Sequence, residues 1–181
     1  MEKRFYQEYA LKDGRSLIIR SADGEDYQGY SELLHRCGRE TDNLSFGADD
    51  CPYSEKYCRA YLNSLAEKPN SFCLLAFVEG ELVGEVSLSA QLRRCSHTAE
   101  LGICILQKYC GIGIGRILME EAMEIARSGG TLRSIFLSVD SFNEVGIHLY
   151  TRCGFKEYGR YRDYVSVNGN FHDVLFMNYY F

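Results

Sequence analysis

The sequence predicts an α/β (α+β) fold, a mixed and mostly antiparallel sheet of about six to seven strands flanked by about four helices. Apolar periodicity switches repeatedly between two-residue and helical spacing, so strands and helices both contribute to one core. Two strand-like runs, Phe72 to Val78 and Leu82 to Ala90, are separated only by Glu79-Gly80-Glu81, a tight turn that makes them a hairpin. A second hairpin is marked by Asn168-Gly169, whose residues suit the positive φ angles of a two-residue turn. Strands that follow one another without a helix between them rule out a doubly wound sheet.

In chain order, Arg15 to Ser21 alternates and is β-branched enough for a first strand. Tyr27, Tyr30, Leu34 and Cys37 then recur at helical spacing and predict a helix with that face buried. The stretch Glu40 to Pro52, with Asp42, Asp49 and Asp50, reads as an acidic loop. Ser54 is placed to cap a second helix that carries Tyr57, Tyr61 and Leu65 and ends at Pro69-Asn70. After the first hairpin, Thr98 to Leu106 is a strand, with Ala99, Leu101, Ile103 and Ile105 on one side. A glycine cluster follows, then a helix with Ile114, Ile117, Leu118, Met123 and Ile125 on one broad face. Ile135 to Val139 is a strand, Asn143 to Arg152 a short helix, and Gly154 its left-handed stop.

The chain has 181 residues, 46% hydrophobic and 25% charged, which suits one domain over 1–181 with a real core. Its net charge of −5 disfavours nucleic acid and anionic membranes as partners and suits a cationic substrate. The start, Met1 to Glu8, lacks the apolar centre of a signal peptide, and Phe72 to Val78 is too short to span a bilayer, so the expected location is the cytoplasm. Eight cysteines include no C-x-x-C pair and four histidines are scattered, so no metal site is expected. The cysteines read as reduced thiols that pack as small hydrophobes.

Gln107 to Arg116 joins a strand to a helix, with Gly111, Gly113 and Gly115 at alternate positions. Such a loop can aim several N–H groups at an anion near a positive helix end, or can carry glycine only for its turn. A Walker A loop fails because Gly115-Arg116-Ile117 lacks Gly-Lys-Ser/Thr, and a Rossmann fingerprint fails because Arg116 or Leu118 stands at its third glycine. The pyrophosphate of coenzyme A is the remaining candidate.

Ala99 to Met119 resembles motif A of the GNAT superfamily, a strand, pyrophosphate loop and helix with the pattern Gln/Arg-x-x-Gly-x-Gly/Ala. Gly113 and Gly115 match its small positions, whereas Cys110 stands where the family usually has arginine or glutamine. Asn143 to Phe155 is similar to motif B, Asn…Leu-Tyr-x-x-x-Gly-Phe, and the resemblance extends from about Arg15 to the C-terminus. It looks most like acetyltransferases of the amino-acid, polyamine and ribosomal-protein type. The resemblance implies acetyl-CoA as cosubstrate, without a metal, bound by Cys110, Gly111, Ile112, Gly113, Ile114, Gly115 and Arg116, by backbone near Ile103, Cys104 and Ile105, and by Asn143.

The implied reaction moves an acetyl group to a primary amine without a covalent enzyme intermediate. A free alkylamine has a pKa near ~10.4, so deprotonating it at neutral pH costs roughly 4–5 kcal/mol. Glu100 is the candidate base, directly or through water, with a solvated strand residue as the bland alternative. Tyr150 is the candidate acid for the departing thiolate, since a phenol near ~10 and a thiol near ~8.5 are not badly mismatched. A small amine, amino acid or polyamine is expected before a protein N-terminus, and a homodimer is compatible with the sequence. The competing reading is a non-catalytic acyl-CoA-binding module, which the deviant Cys110 favours and Tyr150 opposes.

Overall fold

A computed structural model describes residues 5–47 and 51–181. Asp49 and Asp50 of the acidic loop, and the first four residues of the chain, lie outside the described residues. The strands are β1 (Tyr6–Ala10), β2 (Ser16–Ser21), β3 (Phe72–Val78), β4 (Glu81–Ala90), β5 (Thr98–Ile105), β6 (Ser134–Asp140), β7 (Lys156–Val167) and β8 (Asn170–Tyr180). The helices are α1 (Tyr27–Glu40), α2 (Glu55–Glu67), α3 (Ile114–Gly129) and α4 (Glu144–Arg152). The strands form one eight-stranded sheet in the order β1-β2-β3-β4-β5-β6-β8-β7. Among the described residues only the β5–β6 pair is parallel.

The sheet is one strand larger than the upper sequence expectation because β1 precedes the predicted first strand. β1 is a polar edge strand with exposed side chains, so it shows little apolar alternation. Elsewhere local chemistry explains the boundaries. Ser54 accepts a hydrogen bond from the Tyr57 N–H at 3.3 Å and starts α2. Asn168 and Gly169 adopt φ of 50° and 80°, turning β7 into β8 as a two-residue hairpin loop must.

The core has two layers, one on each side of the sheet. Leu17, Ile19, Leu33, Leu62, Leu65, Leu75, Leu88, Leu118 and Phe155 are all completely or almost completely buried. α1 and α2 pack on one face through Tyr30, Leu33, Cys37, Cys58 and Leu62. α3 lies on the other, where Gly115 faces Ile105 and Leu149 of α4. No helix among the described residues is long and apolar enough to cross a membrane.

Candidate active site

The site begins where the two parallel strands part. β5 and β6 pair only at Thr98–Ser134, Ala99–Ile135 and Glu100–Phe136. β5 then runs on to Ile105 against β4 alone, leaving a wedge between itself and β6. Leu106 donates to the Val83 carbonyl at 2.9 Å and Gln91 donates to the Thr98 carbonyl at 2.9 Å, so even-numbered residues of β5 turn their backbone groups toward β4. Strand alternation therefore aims the N–H groups of Ile103 and Ile105 into the wedge, and turns that of Cys104 away from it.

The glycine loop sits at the open end of β5. Gly111 and Gly113 adopt φ of 79° and 103°, the left-handed region that glycine occupies without strain. Ile117 makes the first hydrogen bond of α3, to the Gly113 carbonyl, and no side chain caps the helix. Among the described residues the N–H groups of positions 111 to 116 have no partner, which gives a row of donors at the positive end of a sixteen-residue helix. That donor set fits a pyrophosphate. The Cys110 thiol turns back toward the carbonyls of Ile105 and Leu106, its N–H donates to the Gln107 carbonyl, and the Arg116 guanidinium pairs with Glu120 at 2.7 Å. Gly115 has a different reason to be glycine: a Cβ there would lie 3.1 Å from Ile105 and 3.4 Å from Leu149. It lets α3 settle on the sheet, whereas the two glycines before it shape the loop.

α4 enters from the C-terminal end of β6. Asn143 caps it by accepting from the Gly146 N–H at 2.9 Å, and its carbonyl accepts from Ile147. Gly154, at φ 92°, ends the helix, and the Phe155 N–H returns to the Tyr150 carbonyl. This fixes Tyr150, whose ring packs 6.2 Å from that of Phe155. Tyr150 is 9% exposed, and burial, then the nearby Cys104 and Glu85, hold its phenol protonated well above the usual range. It is a permanent donor at ordinary pH, and a weaker acid than a free phenol. Cys104 is not an activated nucleophile: its contact with Cys37 and its burial push its thiol up. Burial does the same to Cys110, helped by Cys37 and Glu40.

Glu100 stands exposed at the last paired position of β5, where the wedge starts. Its pairing partners Ser89 and Phe136 place it on the α1/α2 face, with Gly102 and Cys104 following on that face. Tyr150 comes from the α3/α4 side. The Ile103 and Ile105 amides thus line the wedge, with Glu100 at its rim, while Tyr150 is close enough to Cys104 of β5 to feel its thiol.

Sequence reasoning missed three features of the same floor. Glu85, opposite Cys104, is buried, and burial pushes its carboxyl up to about 8 against the hydrogen bonds offered by Cys73 and Ser87. Its signal was a lone carboxylate inside an apolar strand. Asp140, at the end of β6, is buried and its carboxyl is raised by burial, with His172 opposing the shift. A row of rings covers the floor, Phe46, Tyr53, Tyr57, Tyr61 and Tyr30, with neighbouring centroids 4.9, 5.4, 6.2 and 6.3 Å apart. The i, i+4 spacing of Tyr53, Tyr57 and Tyr61 was its trace in the sequence. Among the described residues no cluster could hold a metal.

Comparison with known proteins agrees with this geometry. The family described as acetyltransferase (GNAT) matches residues 31–155. The spermidine N(1)-acetyltransferase of Vibrio cholerae is 32% identical over 149 residues, 81% of this chain and 85% of that protein. The L-amino acid N-acetyltransferase AaaT of Escherichia coli is 26% identical over 162 residues, 89% and 96% of the two chains. An acetyltransferase of the GNAT family from Streptococcus pneumoniae superposes with a TM-score of 0.87 at 33% identity, covering 91% of this chain and 99% of that one.

Proposed function

The chain belongs to the acetyltransferase (GNAT) family, and from that premise we propose that it carries an acetyl group directly from acetyl-CoA to the primary amine of a small molecule. It is an N-acetyltransferase with acetyl-CoA as cosubstrate, and the non-catalytic alternative falls away. The observation that carries the finer reading is the wedge between β5 and β6, with Tyr150 on one side and Glu100 at the rim of the other.

In this reading the free N–H groups at 111 to 116 hold the pyrophosphate, and Asn143 fixes the end of α4 beside the pantetheine arm. The Ile103 and Ile105 amides face the thioester oxygen as it gains charge. The acceptor approaches over Glu100, which draws in the ammonium and can take its proton directly or through water. The neutral amine attacks, the C–N bond forms, the C–S bond breaks, Tyr150 protonates the thiolate, and the surplus proton that the nitrogen sheds restores the phenol.

The net charge of −5 and the row of aromatic rings over the floor favour a small cationic acceptor over a protein N-terminus. Relatives include spermidine, L-amino acid and N-alpha-acetyltransferases, so the acceptor class is the point to test. We expect a panel of spermidine, n-butylamine, L-amino acids and short peptides, each with acetyl-CoA, to give thiol release with a small amine before any peptide. A preference for peptide N-termini would reverse this assignment.

A further inference from the structure

One group on the floor has no part in the reaction as described above. Glu85 lies in the middle of β4, between Leu75 of β3 and Cys104 of β5, and is 4% exposed. Its carboxyl takes a hydrogen bond from the Cys73 thiol at 3.6 Å, and the Ser87 hydroxyl is near enough to favour its ionised form. Among the described residues no cation opposes it. Burying a carboxyl without a cation is unfavourable, and an amide or leucine would fill the same space at less cost. A group kept in such a place asks for a chemical reason.

Ser87 supplies the connection. It stands between Cys73 of β3 and Gly102 of β5 on the same sheet face as Glu85. Gly102 is exposed, and a Cβ there would come within 3.3 Å of the Ser87 Oγ. The hydroxyl therefore borders the bare patch of floor at Gly102, on one side, and the buried carboxyl on the other. The half-buried Tyr61 phenol also lies within reach of Ser87 and links it to the aromatic row.

We propose that Ser87 and Glu85 form an inward proton relay for the acceptor amine, which lies over Gly102 as a primary alkylammonium. The inference rests on the acetyl-transfer reading and adds a second proton route to that of Glu100. The ammonium gives a proton to the Ser87 oxygen as the Ser87 hydroxyl passes its own to Glu85, leaving a neutral amine, an intact serine and a neutral carboxyl. The amine then forms the C–N bond as the C–S bond breaks. Tyr150 gives its proton to the thiolate and recovers the second proton that the nitrogen sheds. Glu85 returns its proton through Ser87 to solvent, so each turnover releases one proton.

The titratable and polar groups close enough to Glu85 to interact with it are Cys73 from β3, Ser87 from β4, Cys104 from β5, Tyr30 from α1, Tyr53 from the segment before α2, Tyr61 from α2 and, from α4, Tyr150, none of them cationic. The relay works only with the carboxylate form. In the wild type kcat/KM for the amine should therefore rise with pH and level off above about 8, where Glu85 is ionised while the amine is still cationic. Without the relay the limb near 8 should vanish, leaving the slower Glu100 route and the amine's own ionisation near ~10.4 to set the profile.

The test compares wild type, Glu85→Gln, Ser87→Ala and Glu100→Gln, using whichever amine of the panel is turned over fastest. Thermal melts and calorimetry with acetyl-CoA accompany the pH profiles. We expect Glu85→Gln and Ser87→Ala to bind acetyl-CoA normally, to lose roughly 10²-fold or more in kcat/KM for the amine near neutral pH, and to lose the plateau. Glu100→Gln should lower kcat/KM by removing its own proton route, yet keep the plateau that belongs to Glu85. Wild-type profiles in folded Glu85→Gln and Ser87→Ala would overturn the relay and leave acetyl transfer standing. Should Glu85→Gln fail to fold, Ser87→Ala decides alone, since it deletes one oxygen. If the wild type binds acetyl-CoA but acetylates no amine of the panel, the small-amine reading fails and the relay with it.

Discussion

Tyr150 and Glu85 are both buried acids, and their environments make opposite predictions about pH. Burial keeps the Tyr150 phenol protonated throughout the working range, so no pH limb should belong to it. Tyr150→Phe should lower turnover by ~10²–10⁴ with acetyl-CoA affinity nearly unchanged, as steady-state kinetics and calorimetry would show together. A tyrosine kept only for packing would instead lose melting temperature and keep its rate. Glu85 is a carboxyl whose folded pKa is raised to about 8 from an ordinary value of 4.5. Between those values the folded chain keeps a proton that the unfolded chain has lost. Its stabilising effect is complete below the lower value and fades as pH rises through the upper one. Melts of wild type and Glu85→Gln should therefore diverge across that window, with the wild type losing on the order of a few kcal/mol relative to the variant. Parallel curves would show that Glu85 is already ionised at low pH. The sequence exposed Tyr150 through Leu149-Tyr150 and the following Gly154-Phe155, but it hid Glu85, because burial depends on α1 and α2 closing over β4.

At the scale of elements, the β5-loop-α3 unit assigns its glycines two separate tasks. Gly113 has φ of 103° and open space around its Cα, so valine there strains the backbone by ~1–3 kcal/mol and intrudes where the loop meets its ligand. Gly113→Val should weaken acetyl-CoA binding about tenfold or more, with a smaller loss of melting temperature. Gly115→Val meets Ile105 and Leu149 instead and should appear first as lost stability. Calorimetry beside thermal melts separates the two, and identical behaviour would mean that the division of tasks is wrong. Cys110→Arg should leave acetyl-CoA binding unchanged or tighten it, because a solvent-exposed charge pair contributes little. Clear weakening by calorimetry would show that the loop register is misread. α2, α4 and the β7–β8 turn were legible because Ser54, Asn143, Gly154 and Asn168-Gly169 specify their ends locally. β1 was not, because an exposed edge strand needs no apolar alternation, and its pairing with β2 is a long-range fact. Tyr158, Tyr161 and Tyr164 stay exposed along β7, the other edge of the sheet.

At the scale of the whole molecule, the two faces of the sheet have separate duties. In the proposed reading α3 and α4 with the glycine loop hold the donor, α1 and α2 cover the floor for the acceptor, and the two meet at the wedge between β5 and β6. The order of strands and motifs made the fold class readable, whereas the acceptor floor depends on register among β3, β4 and β5 and emerges only when the sheet is assembled. The central claim is direct transfer of acetyl from coenzyme A to an amine across that wedge. The most direct measurement follows acetyl-labelled acetyl-CoA with the preferred amine, counting free thiol, acetylated amine and protein-bound label in the same quenched samples. Direct transfer should give thiol and amide in equal amounts at every time, and no label on the protein with or without the amine. Thiol formed without amide, or label retained on Cys104 or Cys110, would contradict it.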